Sequence, residues 1–163
     1  MRAEPPTQPT ARTPQAQLEL IIAQLKTARR ARRLTQQALA DGLGVSALAV
    51  GAWETGKDTP ALGNFLRWAE TLGLTAAVTG APTGDTPVPR RGEPLEQFRI
   101  RCLTSALAGA REHSNWSQEM VGDALGVSTW TVHMWETGHR VPRTLRLIEW
   151  CHALGCELTL VAR

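Results

Sequence analysis

The stretch LTQQALADGLGVSALAVGAWETGKDTP at residues 34–60 occurs a second time, in diverged form, as WSQEMVGDALGVSTWTVHMWETGHRVP at residues 116–142. The two copies align without a gap, with Leu34 on Trp116, and both contain the strings LGVS and WETG. Ungapped similarity over this length in a chain of 163 residues indicates an internal duplication. The chain is therefore predicted to contain two copies of one small domain.

The distribution of proline gives the boundaries of the two copies. Eight of the ten prolines lie either near the N-terminus or between the copies, and the segment between the copies reads GAPTGDTPVPRRGEP. Such a composition is typical of extended segments that bury little surface. The predicted organisation is a disordered tail at 1–17, a first domain at 18–79, a Pro/Gly linker at 80–94 and a second domain at 95–163.

Each domain is predicted to be a run of short helices. Residues 18–32 carry apolar side chains at helical spacing. Thr35 and Ser117 are suited to cap the next helix, which is expected to end at a glycine such as Gly44. A serine then caps a further helix that runs to WETG, and another helix follows the proline. The predicted class is mainly all-α, with about five short helices in each domain followed by one short β-strand.

The predicted strands lie at residues 74–79 and 156–162. Strand 74–79 can pair with 156–161, which would join the two domains. The sequence leaves open whether this pairing occurs within one chain, as an intramolecular pseudo-dimer, or between two chains, as a homodimer.

The order of helix, glycine-containing turn and serine-capped helix is the helix-turn-helix pattern. Together with WETG and the proline that follows, these residues resemble the Cro/phage-repressor-like (Xre-type) family of DNA-binding domains, in two tandem copies. The resemblance implies a lambda-repressor-like fold in which the second helix of the motif lies in the major groove of double-stranded DNA. It further implies a sequence-specific transcriptional regulator, a repressor or an autoregulator, that is either associated with a bacterial nucleoid or encoded by a phage or a plasmid.

Carried over position by position, the resemblance implies DNA contacts at equivalent sites of the two units. In the first unit these residues are Gln36, Ser46, Ala47, Leu48, Gly51, Ala52, Thr55 and Lys57. In the second unit they are Gln118, Ser128, Thr129, Trp130, His133, Met134, Thr137, His139, Arg140 and Arg143. The basic run KTARRARR at residues 26–33 adds candidate phosphate contacts at Arg30, Arg32 and Arg33.

The residues that are expected to face the major groove differ in chemistry between the two units. The first unit offers almost no hydrogen-bonding side chain to a base edge, whereas the second offers Thr129 and His133. One interpretation is that the first unit anchors the protein to phosphates while the second reads the sequence. The alternative is that the first unit only mediates association. Trp130 is expected to face outward, onto DNA, onto another subunit or flat on its own helix.

The two WETG glutamates raise the question of catalysis. Glu54 follows Arg29 at the same separation in sequence at which Glu136 follows Arg111. In the family that the chain resembles, an arginine near the end of the first helix pairs with this glutamate, which implies structural ion pairs. The chain contains no glycine-rich phosphate loop and no nucleophile elbow. It is therefore predicted not to be an enzyme, and no catalytic residue is assigned.

Charge and cysteine content restrict the class further. The net charge is +3, which permits binding to nucleic acid without requiring it. No apolar run approaches the roughly 20 residues of a membrane span, and the N-terminus has no secretory signal, so a cytoplasmic location is expected. Cys151, His152 and Cys156 do not have a standard zinc spacing. No metal or cofactor is predicted.

A second class of function stays open. The strand after the last helix is similar to antitoxins of this superfamily, which bind DNA while holding a toxin. A module that binds a toxin or another protein partner through Trp130 and the apolar helix of the first unit is therefore the alternative to a free-standing regulator.

Overall fold

The computed structural model describes residues 12–163 of the chain. Within that range the fold is mainly helical and contains two tandem units of four helices and one strand. The first unit consists of α1 (Pro14–Ala31), α2 (Gln36–Leu43), α3 (Ala47–Glu54), α4 (Leu62–Thr71) and β1 (Leu74–Thr79). The second unit consists of α5 (Leu95–His113), α6 (Gln118–Leu125), α7 (Thr129–Glu136), α8 (Thr144–Ala153) and β2 (Glu157–Ala162).

The number of helices corrects the prediction of about five per unit. Four helices form in each unit, and the residues between WETG and the helix after the proline form a turn and an irregular stretch. After α4, Gly73 adopts a left-handed conformation with φ of 71°, and the chain enters β1 directly. A non-glycine residue rarely adopts this conformation, so Gly73 ends the helical part of the unit.

Helix α1 begins at Pro14, before the predicted domain boundary at residue 18. The Thr13 hydroxyl accepts a hydrogen bond of 3.1 Å from the Ala16 N–H, and proline is suited to the first helical position because it lacks an N–H. Residues 1–11 of the predicted tail lie outside the described residues.

Capping follows the sequence expectation in both units. Thr35, Ser46, Ser117 and Ser128 each accept a hydrogen bond of 3.0 to 3.1 Å from the N–H three residues further on. Helices α2 and α6 end at left-handed Gly44 and Gly126. The turn between the two helices of each motif is therefore fixed by local hydrogen bonds at both ends.

A pair of tryptophans lies in the core of each unit, at repeated positions of the sequence. The Trp53 and Trp68 ring centroids are 5.9 Å apart, and those of Trp135 and Trp150 are 5.6 Å apart, both pairs at 34°. Trp68 and Trp150 are completely buried. Such tilted aromatic pairs add specific geometry to apolar burial.

The two units are related by an approximate two-fold axis. β1 and β2 pair antiparallel within the chain, and the register places Ala77 opposite Thr159, its own equivalent in the second copy. Helix α1 packs on α8, and the equivalent helix α5 packs on α4. The pairing predicted for 74–79 and 156–161 is thus intramolecular, although β2 begins one residue later than expected. The chain forms its own pseudo-dimer.

The strand pair makes a stability prediction. Leu158 on β2 is fully buried opposite Val78, so we expect Leu158→Ala to lower the free energy of unfolding by about 2–5 kcal/mol. Val161 on the same strand is 44 % exposed, and Val161→Ala is expected to change that free energy by less than about 0.5 kcal/mol. Urea denaturation measures both variants. Equal effects would contradict the observed orientation of β2.

Candidate nucleic-acid interface

A buried carboxylate joins three of the four helices of the first unit, α1, α2 and α3. Arg29 Nε at the end of α1 lies 2.6 Å from Glu54 Oε1, and Arg29 Nη2 donates to Glu54 Oε2 at 3.0 Å. Gln36 Nε2, at the start of α2, also donates to Glu54 Oε2 at 3.0 Å. The third nitrogen, Arg29 Nη1, donates to the Leu34 carbonyl at 2.6 Å. The bidentate geometry fixes the end of α3 against α1 and α2.

The second unit repeats this arrangement. Arg111 Nε lies 2.6 Å from Glu136 Oε1, and Gln118 Nε2 donates to Glu136 Oε2 at 2.9 Å. Arg111 Nη1 donates to the Trp116 carbonyl at 2.8 Å. The two WETG glutamates therefore face the interior of their units, away from the exposed side of α3 and α7.

Gln36 and Gln118 have a structural partner that was not predicted. Both were predicted as DNA contacts, but in each unit the amide nitrogen is bonded to the WETG glutamate. The signal was present in the sequence, because both glutamines precede the glutamate at the same separation in matching units. The bond holds each glutamine side chain at the junction of the two helices of its motif.

The environment of Glu54 lowers the pKa of its carboxyl. Burial alone would raise that pKa, but hydrogen bonds from Arg29 and Gln36, together with the charges of Arg29 and Lys26, outweigh the effect of burial. Charged hydrogen bonds of this kind favour the ionised form. The carboxylate therefore stays ionised in the folded protein at pH values at which the unfolded chain already takes up a proton.

The outer faces of the two second helices differ. On α7, Thr129, Trp130 and His133 are exposed and Met134 is half-buried. On α3, Leu48 is 85 % exposed, while the remaining predicted contacts are half-buried and carry no hydrogen-bonding side chain. These half-buried residues are Ala47, Gly51 and Ala52. On both helices the predicted residues are thus exposed or partly exposed.

The hydroxyl groups on this face are engaged locally. Ser46 and Ser128 cap their helices, as described above. The Thr55 hydroxyl donates to the Gly51 carbonyl and the Thr137 hydroxyl to the His133 carbonyl, both at 2.9 Å. The Thr137 oxygen also lies 2.8 Å from His139 Nδ1, a second contact within the chain.

Trp130 has an intramolecular partner. The Arg140 guanidinium lies over the Trp130 ring, 4.7 Å from its centroid, although 54 % of Trp130 is exposed. Stacking of this kind restricts an exposed arginine without neutralising it. The equivalent positions of the first unit are Leu48 and Asp58, so this contact is absent there and an acidic side chain replaces the arginine.

Basic residues also differ between the units. Arg30 and Arg33 are exposed at the turn between α1 and α2, where the second unit has Glu112 and Asn115. Arg32 is exposed as well, but its guanidinium lies beside Gly73 on the turn between α4 and β1. In the first unit the exposed arginines thus precede α2, and exposed Lys57 is the basic residue that follows α3. In the second unit the exposed basic residues follow α7, at Arg140 and Arg143, and the imidazole of His139 is exposed beside them.

Other kinds of site are not found in the described part of the chain. Within residues 12–163, no three or more His, Cys, Asp or Glu side chains are grouped so that they could hold a metal ion. Cys151 and Cys156 are buried thiols, and burial raises the pKa of both. No helix between residues 12 and 163 is both long and apolar enough to cross a membrane.

Comparison with known proteins identifies the family. A helix-turn-helix family model of the Cro/C1 type matches the chain twice, at residues 25–78 and 107–161. These matches cover most of both units, and the chain belongs to this family of DNA-binding regulators. The family is not normally enzymatic. Searches of curated proteins and of solved structures gave no significant match.

The ion pairs generate a test. Glu54→Gln leaves Arg29 buried without its counter-charge, and we expect it to lower the free energy of unfolding by about 3–5 kcal/mol. Glu136→Gln is expected to act in the same direction but less strongly, because Arg111 and Glu136 are less completely buried. Because the pKa of Glu54 is lowered in the folded state, its contribution is present above the unfolded value of 4.5 and is lost as the pH falls below it. Urea denaturation at a series of pH values measures both effects.

The matched control is Glu19→Gln, an exposed carboxylate on α1. This variant should be about as stable as the original protein, because isolated surface groups contribute little. In Glu54→Gln, the free energy of unfolding should also decrease less below pH 4.5 than it does in the original protein. A Glu54→Gln protein as stable as the control would contradict the structural role of the pair.

Proposed function

We propose that the protein is a transcriptional repressor that binds a single operator with both units. In this proposal each unit inserts its second motif helix, α3 or α7, into the major groove of double-stranded DNA. The observation that carries the proposal is the approximate two-fold axis, which gives one chain the arrangement that dimeric helix-turn-helix proteins obtain from two. Successive major grooves on one face of a duplex are roughly 34 Å apart, so two half-sites at that spacing are expected.

We further propose that the second unit reads the sequence. Thr129 and His133 are exposed on α7 and can exchange hydrogen bonds with base edges, which is the basis of direct readout. Arg140, stacked on Trp130, is oriented beside the start of the same helix. In the first unit the half-buried small residues of α3 offer base edges only apolar contact.

The first unit is proposed to act mainly as an anchor. Arg30 and Arg33 are exposed near the N-terminus of α2, and arginines at such a position contribute sequence-independent affinity by displacing counterions from phosphates. Asp58 occupies the place of Arg140 and would repel a phosphate there. We therefore expect the first unit to contact the backbone on the α1–α2 side.

A second candidate function rests on one observation. Leu48 is 85 % exposed on α3, and the other predicted contacts within that helix, Ala47, Gly51 and Ala52, carry no hydrogen-bonding side chain, which is unfavourable for base readout and suited to a protein partner. In this alternative the first unit binds a toxin or another protein, or a second copy of the chain, while the second unit retains DNA binding.

The reading role is tested by selecting bound sites from random duplexes. Thr129→Ala and His133→Ala are expected to relax base preference in one half-site, each by about 1–3 kcal/mol of discrimination, because each removes a hydrogen-bonding group. Thr71→Ala on α4, where the hydroxyl donates to the Arg67 carbonyl, is the control and should leave the preference unchanged. An unchanged preference in the α7 variants would refute the reading role.

The salt dependence of affinity separates the two functions. For a DNA-binding regulator, the logarithm of the binding constant should fall linearly with the logarithm of salt concentration. Arg140→Gln should make the slope less steep by about 0.9 if Arg140 meets one phosphate. Arg91→Gln in the linker should not change the slope. A chain that retards no duplex in a gel at low salt would instead favour the protein-partner hypothesis.

A further inference from the structure

The surface between the two units contains an asymmetric charge cluster. Glu70 on α4 belongs to the first unit, and its Oε1 accepts a hydrogen bond of 2.8 Å from Arg99 Nε on α5. Its Oε2 lies 2.7 Å from Arg163 Nη2, which also donates to the Glu70 backbone carbonyl at 2.6 Å. Both arginines belong to the second unit. We refer to Glu70, Arg99 and Arg163 as the Glu70 cluster.

The two-fold related position has different chemistry. In the ungapped alignment of the two copies, the equivalents of Glu70 and Arg99 are His152 and Gln17, and that of Arg163 is Ala81. Gln17 is buried, and its Nε2 donates to the Leu158 carbonyl of the second unit at 2.9 Å. The cluster of one carboxylate and two arginines therefore exists on one side of the axis only.

A steric difference accompanies the difference in charge. A Cβ atom built on Gly63 would lie 1.9 Å from Glu96 Oε1, so the glycine is needed for the present position of the Glu96 carboxylate. The equivalents of Gly63 and Glu96 are Leu145 and Pro14. Because Glu96 is 41 % exposed and can rotate away, this contact discriminates less than the Glu70 cluster does.

We propose that the inter-unit surface is specific for unlike units: a first unit pairs with a second unit and rejects another first unit, and a second unit likewise rejects its own kind. In a pair of second units, Arg99 and Arg163 would meet His152 instead of a carboxylate, and Glu96 would meet Leu145. In a pair of first units, Glu70, whose side chain is only 15 % exposed, would face Gln17 and Ala81 without a positive charge.

Charge complementarity is the physical basis of this specificity. Unlike charges placed opposite one another across an interface favour the intended pair, and a missing partner leaves a partly desolvated charge that penalises the wrong pair. The proposal does not depend on which half-site either unit reads, or on whether the chain represses transcription.

The experiment begins with the full chain. A protease site is inserted after Gly84 in the linker, where an added Cβ would meet nothing within 4 Å, and the purified folded protein is then cut. Native mass spectrometry identifies the pairs, because the two halves differ in mass. We expect only one-to-one pairs of unlike halves. The proposal would be overturned if pairs of identical halves formed as often as random association predicts, or if the halves did not stay paired.

Charge exchange distinguishes specificity from general stability. In the cut protein, Glu70→Arg places three arginines together and is expected to weaken pairing on the order of a hundredfold. Adding Arg99→Glu and Arg163→Glu should restore it, since opposite charges then face each other again. Glu149→Arg, which disrupts a pair with Arg146 inside the second unit, is the control and should leave pairing unchanged. The proposal fails if Glu70→Arg pairs normally or the triple variant remains weak.

Discussion

Each unit is organised by one buried carboxylate and the arginine that neutralises it. A carboxylate as enclosed as Glu54, with 1 % of its side chain exposed, is stable only when its oxygens are paired and hydrogen-bonded. Its partners come from the end of α1 and the start of α2, so the requirement fixes all three helices relative to one another. The net stabilisation from such a pair is small, and its main effect is to specify the geometry. The buried side of α3 is thus fixed to α1 and α2, which sets the orientation of its exposed face. The buried side of α7 is fixed to α5 and α6 in the same way.

The tryptophan core and the strand pair extend this arrangement from one unit to two. The WETG tryptophan packs on the tryptophan of the following helix, which links the motif to α4 or α8. These two helices lead into β1 and β2, which meet at the approximate two-fold axis. The orientation of each motif is therefore transmitted through a continuous core to the contact between the units.

The fold was largely predictable because the duplication displays each local signal twice. Thr35 and Ser117, the terminal glycines and the four repeated tryptophans agree between the copies and with the structure. The arginine–glutamate pairs followed from a resemblance combined with an equal separation of the two residues in both copies. Four helices form in each unit where about five were predicted, and the sequence offers no fifth segment with helical spacing to which the extra helix could be assigned.

The contacts that distinguish the units were not predictable from sequence. Trp130 and Arg140 come together through the turn after α7, and no spacing rule relates an exposed tryptophan to an arginine in a loop. The Glu70 cluster joins α4, α5 and the C-terminal residue, three segments with no common pattern. Both contacts involve positions at which the two copies differ, and an alignment of the copies indicates only the features that they share.

The presence of both motifs in a single chain changes how the protein can evolve. In a homodimer, one codon change in the reading helix appears at both half-sites of every complex. Here a change in α7 leaves α3 untouched, since different codons specify them. Each surface can therefore acquire or lose contacts independently. The equivalent positions Leu48 and Trp130 have diverged in this way.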